Sequence, residues 1–159
     1  MRVYLVQHGE AQPETLSAER ELTPRGRSDV ERVAALLAGG GVRVAKVYHS
    51  GKTRARQTAE LLAARLAPGI ASEPLGGINP NDPVEPVAER LRGWGEDTLV
   101  AGHQPFMGKL VALLIAGRAE PPVVDYRQGS AACLERDAAN RWVLAWMVRP
   151  ELLAGGSPA

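Results

Sequence analysis

The chain has 159 residues, about one domain's worth, and its 19 Lys and Arg against 18 Asp and Glu leave a formal net charge of +1, so no broad basic field draws it to nucleic acid or to an anionic membrane. The longest late apolar run, Leu110 to Ala116, is too short to span a bilayer. Gln7, His8 and Glu10 interrupt the first segment before a signal-peptide core can form, so a soluble cytoplasmic protein is expected.

In chain order, Val3 to Val6 is a short apolar run that reads as a buried strand delivering Gln7, His8 and Gly9 to a loop. Thr23 and Pro24 have the chemistry of an N-cap and a first helical residue, and Val30, Val33, Ala34 and Leu37 then fall on one helical face. Gly39 to Gly41 stops that helix. Val44 to Tyr48 predicts a second strand, and a helix over about Lys52 to Leu66 turns Ala55, Thr58, Ala59 and Leu62 inward. Gly76 to Pro86 is rich in Gly, Pro, Asn and Asp and reads as an irregular pocket-wall loop before a helix near Val87 to Trp94. Thr98 to Ala101 is a short strand closed by Gly102 and His103, and Pro105 opens a helix with Met107, Leu110, Val111 and Leu114 on its apolar face. Ser130 to Glu135 and Trp142 to Val148 read as two strands joined by a turn. Cys133, the single cysteine, lies in the first of these and is expected to be a buried structural thiol.

Strands alternating with helices predict an α/β protein: one domain over residues 1–150, a three-layer α/β/α sandwich with a mainly parallel central sheet, followed by a loosely held tail over 151–159. In such sheets ligands bind beyond the carboxyl ends of the strands, where Gln7-His8, His49-Ser50 and Gly102-His103 all fall. A neutral imidazole is a usable nucleophile near pH 7, and a guanidinium at a helix start offers forked donors to an oxyanion. His8, Arg54 and His103 are therefore the candidate catalytic residues, and Gln7, Gly9, Lys52 and Gln104 the candidate substrate-binding ones. His49 has only its strand-end position to recommend it and is assigned a structural role; Trp94, Trp142 and Trp146 are assigned to packing. No Cys or His pair has metal-ligand spacing.

The segments Leu5-Val6-Gln7-His8-Gly9-Glu10-Ala11, Leu22-Thr23-Pro24-Arg25-Gly26, His49 to Ala59 and Val100 to Pro105, in this order, make the chain resemble the histidine phosphatase (phosphoglycerate-mutase-like) superfamily, and within it the short SixA-type phosphohistidine phosphatases. The resemblance implies a phosphorylated nucleophile at His8, with Arg54 and His103 stabilising the phosphoryl group and with no metal or organic cofactor. The chain departs from the family pattern at Gln7, where Arg is usual; the neutral amide removes one charge-assisted contact, for which Lys52 or Arg56 offers compensation. No motif fixes a general acid: Asp82, Glu85 and Glu10 are the carboxylates within reach of the predicted pocket.

The expected function is a phosphatase acting on phosphohistidine in a protein. The alternatives are a phosphomonoesterase for sugar or nucleotide phosphates and a phosphate-binding module without turnover. The expected partner is a phosphorylated protein or a small phosphate ester, with neither nucleic acid nor membrane; the sequence leaves the oligomeric state open.

Overall fold

The structure, a computed structural model, describes residues 1–154. Its centre is a six-stranded sheet in the order β3-β2-β4-β1-β5-β6. Strand β1 (Arg2–Gln7) lies inside this sheet, parallel to β4 (Thr98–Gly102) on one side and antiparallel to β5 (Ala131–Arg136) on the other. That position explains the unbroken apolar run Val3 to Val6, because both faces of the strand are covered. Strand β2 (Lys46–His49) is parallel to β4 and to β3 (Glu73–Pro74), and β6 (Trp142–Val148) closes the far edge antiparallel to β5.

Helix α1 (Pro24–Gly39) and helix α2 (Thr53–Leu66) cover one face of the sheet. Their Val30, Val33, Leu37, Leu62 and Leu66 join Tyr4, Val6, Val47 and Leu99 in one core cluster. Helix α3 (Glu85–Arg92) and helix α4 (Phe106–Ala116) cover the other face, where Val87, Leu91, Met107 and Leu110 pack on Val3, Leu5 and Val100. The result is the expected three-layer α/β/α sandwich with a mainly parallel sheet, in which β5 alone runs against the other described strands. Thr23 caps α1 as its chemistry predicts, its hydroxyl accepting from the Gly26 amide at 2.9 Å. Cys133 is fully buried, and burial pushes its thiol up to about 11. Among the described residues no helix is long and apolar enough to cross a membrane.

Two expectations need correction. The short strand β3 was not anticipated; it is an edge pairing of Glu73 and Pro74 with Tyr48 and His49, a place where a proline costs no ladder bond and the sequence carries no alternating signature. The tail expected from Glu151 begins instead as a 3-10 helix over Pro150–Leu153 that packs on α1, with Leu153 against the core. The rest of the expected tail, 155–159, lies outside the described residues.

Candidate active site

The pairing of β1 with β4 brings the two histidines together. Gln7 is in register with Gly102, and the His8 amide donates to the Gly102 carbonyl at 2.9 Å, so His8 and His103 leave neighbouring parallel strands at the same level. Their rings are 5.1 Å apart, centroid to centroid, with planes inclined at 57°. Strand β2 flanks β4 on its other side and leads directly into α2, which places Arg54 in the first turn of that helix. Thr58, one turn on, ties the pieces together. Its hydroxyl accepts from the Gly9 amide at 3.0 Å and donates to the Arg54 carbonyl at 2.8 Å.

The tautomer of His8 follows from its partner. Nδ1 lies 2.7 Å from the Gly9 carbonyl, which can only accept, so Nδ1 carries the proton and Nε2 keeps its lone pair. Burial pulls the His8 imidazole down to about 4; the Gly9 carbonyl opposes this, and the charges of Arg54 and Arg20 add to it. His103 is pulled down to about 3, chiefly by burial and then by His8, Arg54, Lys52 and Arg20. Both rings are therefore neutral at pH 7. On His103, Nε2 meets the Ser50 hydroxyl at 2.6 Å, while Nδ1 is buried without a partner. The Nε of Arg54 is likewise buried and unpartnered. Buried polar groups are nearly always satisfied, so two such atoms beside a free imidazole lone pair mark a place prepared for a ligand rich in acceptors.

The other predicted residues separate. Lys52 is exposed at the N-cap of α2, close enough for its charge to depress His103. The bareness of Gly9, assigned from the sequence to substrate binding, admits α1: a Cβ there would meet Val30 Cγ2 at 2.9 Å and the Gly26 carbonyl at 3.0 Å. Gln104 turns to its own helix, its Oε1 accepting from the Gly108 amide at 2.7 Å. Gln7 is buried with Oε1 unpartnered and lines a cavity of about 680 Å³ beside the start of α1 and the 126–128 loop, a cavity to whose walls His8, Arg54 and His103 do not contribute. Arg56 is engaged with Glu60 at 3.0 Å on the outer face of α2. His49 is buried and accepts from the Gly51 amide at 3.0 Å, the structural role assigned to it.

None of the three carboxylates is positioned by a contact to either imidazole. Asp82 accepts from the Asn79 amide at 2.8 Å, Glu10 lies 3.8 Å from Arg25, and Glu85 is exposed in the first turn of α3. The sequence placed Ser50 at the strand edge and Thr58 on an inward helix face, neither with a role, and did not single out Arg20. Thr58 did carry a signal, since a hydroxyl among alanines and leucines on an inward helix face needs a partner.

A strand-end imidazole with its lone pair free, a second neutral imidazole and a guanidinium have the chemistry that covalent phosphoryl transfer requires. The pattern of the histidine phosphatase superfamily (branch 1) matches residues 3–75 of the chain. The chain is 28% identical over 155 residues to the phosphohistidine phosphatase SixA of Escherichia coli (strain K12), with 94% of each chain covered. A solved structure of the protein histidine phosphatase SixA complexed with tungstate superposes with a TM-score of 0.84 at 29% identity, covering 96% of this chain and 99% of that one. The mitochondrial serine/threonine-protein phosphatase PGAM5 of Mus musculus is 31% identical over 85 residues, which span 53% of this chain but only 29% of PGAM5.

Proposed function

We propose that this chain hydrolyses phosphohistidine on a protein in two steps through phospho-His8. The observation that carries the reading is the hydrogen bond from His8 Nδ1 to the Gly9 carbonyl, which leaves Nε2 as the nucleophilic atom beside His103 and Arg54. In the first step Nε2 attacks phosphorus, the substrate's N–P bond breaks, and the leaving ring, protonated on its other nitrogen, departs as neutral imidazole. In the second, water attacks phospho-His8, inorganic phosphate leaves, and the water's remaining proton passes to solvent. Arg54 and His103 supply donors for the charge that spreads over the equatorial oxygens.

Phosphohistidine is favoured over a phosphate ester for two reasons. An imidazole leaves without a dedicated acid, and no carboxylate is held against either imidazole, whereas an alkoxide would need one. Near-complete mutual coverage with a phosphohistidine phosphatase supports the same choice.

The test incubates the full chain with a phosphohistidine peptide and, separately, with sugar phosphates at equal concentration, and traps acid-labile phosphate on the protein. The expected result is label on His8, absent in His8→Asn, with the peptide turned over faster. Comparable or faster sugar-phosphate hydrolysis would reassign the substrate. Phosphate binding without any label would make the chain a binding module.

A further inference from the structure

Position 7 offers an amide where a phosphate site gains from a cation, and a different residue is placed to provide one. We propose that Arg20 is the second guanidinium of the phosphate site, delivered from the loop between β1 and α1 onto the anion held by His8, Arg54 and His103. The proposal rests on the reading of His8 as the phosphoryl acceptor.

The loop is fastened so that Arg20 has little choice of direction. An isolated bridge joins Ala11 to Leu22, and the Gln12 amide donates to the Glu21 carbonyl at 2.7 Å, so residues 12–21 form a strap with a closed base. Its returning limb is stitched along the first turns of α2 on both sides of Arg54: the Thr53 hydroxyl donates to Glu19 at 2.8 Å and the Leu22 amide donates to Gln57 Oε1, also at 2.8 Å. Arg20 lies between those two stitches. Its backbone φ is 51°, a left-handed conformation that a long side chain rarely adopts, and strain of that kind at a ligand site persists because the surroundings impose it.

The side chain is held as well as placed. Nε donates to the Gln12 carbonyl at 3.1 Å, which ties the guanidinium to the base of the strap and leaves its two terminal nitrogens without a hydrogen bond to the described residues. Arg20, half-buried, forms no ion pair among the described residues, and the nearby Glu19 is occupied by Thr53. The charge of Arg20 nevertheless reaches His8, Arg54 and His103 alike, lowering the proton affinity of all three. Two guanidinium groups converging on two neutral imidazoles repel one another until an anion lies between them.

Binding of tungstate and of inorganic phosphate by calorimetry tests this without requiring turnover. Arg20→Asn removes the charge while suiting the left-handed backbone, and Arg20→Lys keeps the charge. Relative to the native chain, Arg20→Asn is expected to weaken binding roughly tenfold or more, with a shallower dependence on salt, and Arg20→Lys to recover a large part of the loss. In turnover of a phosphohistidine peptide, Arg20→Asn should raise KM and lower kcat together, with an unchanged melting temperature. Equal binding by the native and Arg20→Asn chains would overturn the assignment of Arg20 and leave His8 untouched. Equal weakening in both variants with a lowered melting temperature would also overturn it, since only the strap would have been disturbed. Failure of the native chain to bind either anion would overturn both readings.

Discussion

The ends of β1 and β4 and the end of β2 look alike in the sequence, each a short apolar strand followed by histidine, yet they serve different ends. At the tips of β1 and β4 the rings of His8 and His103 are buried against each other and each leaves a nitrogen without a protein partner. At the tip of β2, His49 spends its Nδ1 on the Gly51 amide and shapes the turn into α2; that strand's contribution to the site is its next residue, Ser50, through the hydroxyl that meets His103. What separates the candidate site histidines from the structural one here is where their nitrogens go, not where they sit along the chain.

The sharpest way to break this contrast is to remove the ring at β1. His8→Asn should lower turnover by at least about 1,000-fold while leaving the fold intact, as followed by single-turnover assay and circular dichroism. A smaller loss would mean that another atom attacks phosphorus. Replacing Arg54 by Met, which keeps the length but not the donors, should cost about 100- to 1,000-fold in kcat/KM.

Acid should act on the same pair. The folded values of His8 and His103, about 4 and about 3, lie below the ordinary 6.5 of the unfolded chain. Between these values the unfolded state binds more protons, so stability is complete above roughly pH 6.5 and is lost progressively as pH falls from there to the folded values. Urea midpoints at successive pH values should show this slope, and the double variant His8→Asn, His103→Asn should flatten it. In the free enzyme the acid limb of kcat/KM should likewise fall near pH 4 as Nε2 takes up a proton.

Ser50→Ala should then cost about tenfold, the scale of one lost hydrogen bond that leaves its imidazole partner unsatisfied, with a larger effect on kcat than on KM. His49→Asn should do least. Its Oδ1 can replace Nδ1 as the acceptor for Gly51, so turnover should stay within about threefold and stability within about 1 kcal/mol. A large loss of activity in His49→Asn, with the fold unchanged, would erase the distinction between the strand tips.

Much of the architecture was legible because its signals are local and repeated. Val3 to Val6 could only be a strand covered on both faces, and Thr23-Pro24 announces α1 by cap chemistry that the Gly26 amide answers. The candidate site residues were legible for a different reason: each follows a strand whose parallel pairing brings its end to the same edge of the sheet. What escaped was everything decided by packing between segments. Gly9 and Gln104 looked like substrate contacts because they flank histidines, but one yields space to α1 and the other caps α4. Arg20 escaped because its loop has no period, and its direction is set by bonds to Gln12 and through Glu19 to Thr53 that only the folded chain contains. Strand β3, two residues long at a sheet edge, has too few side chains for any pattern to appear.

The single oxygen of Thr58 couples the backbones beside His8 and at Arg54 mechanically. Because it takes the Gly9 N–H and gives its own proton to the Arg54 carbonyl, a rocking of α2 against the sheet carries the loop beside His8 along with the guanidinium's backbone. A valine at 58, nearly identical in outline, would fill the same volume yet leave the Gly9 N–H stranded and the two halves of the site free to drift out of step.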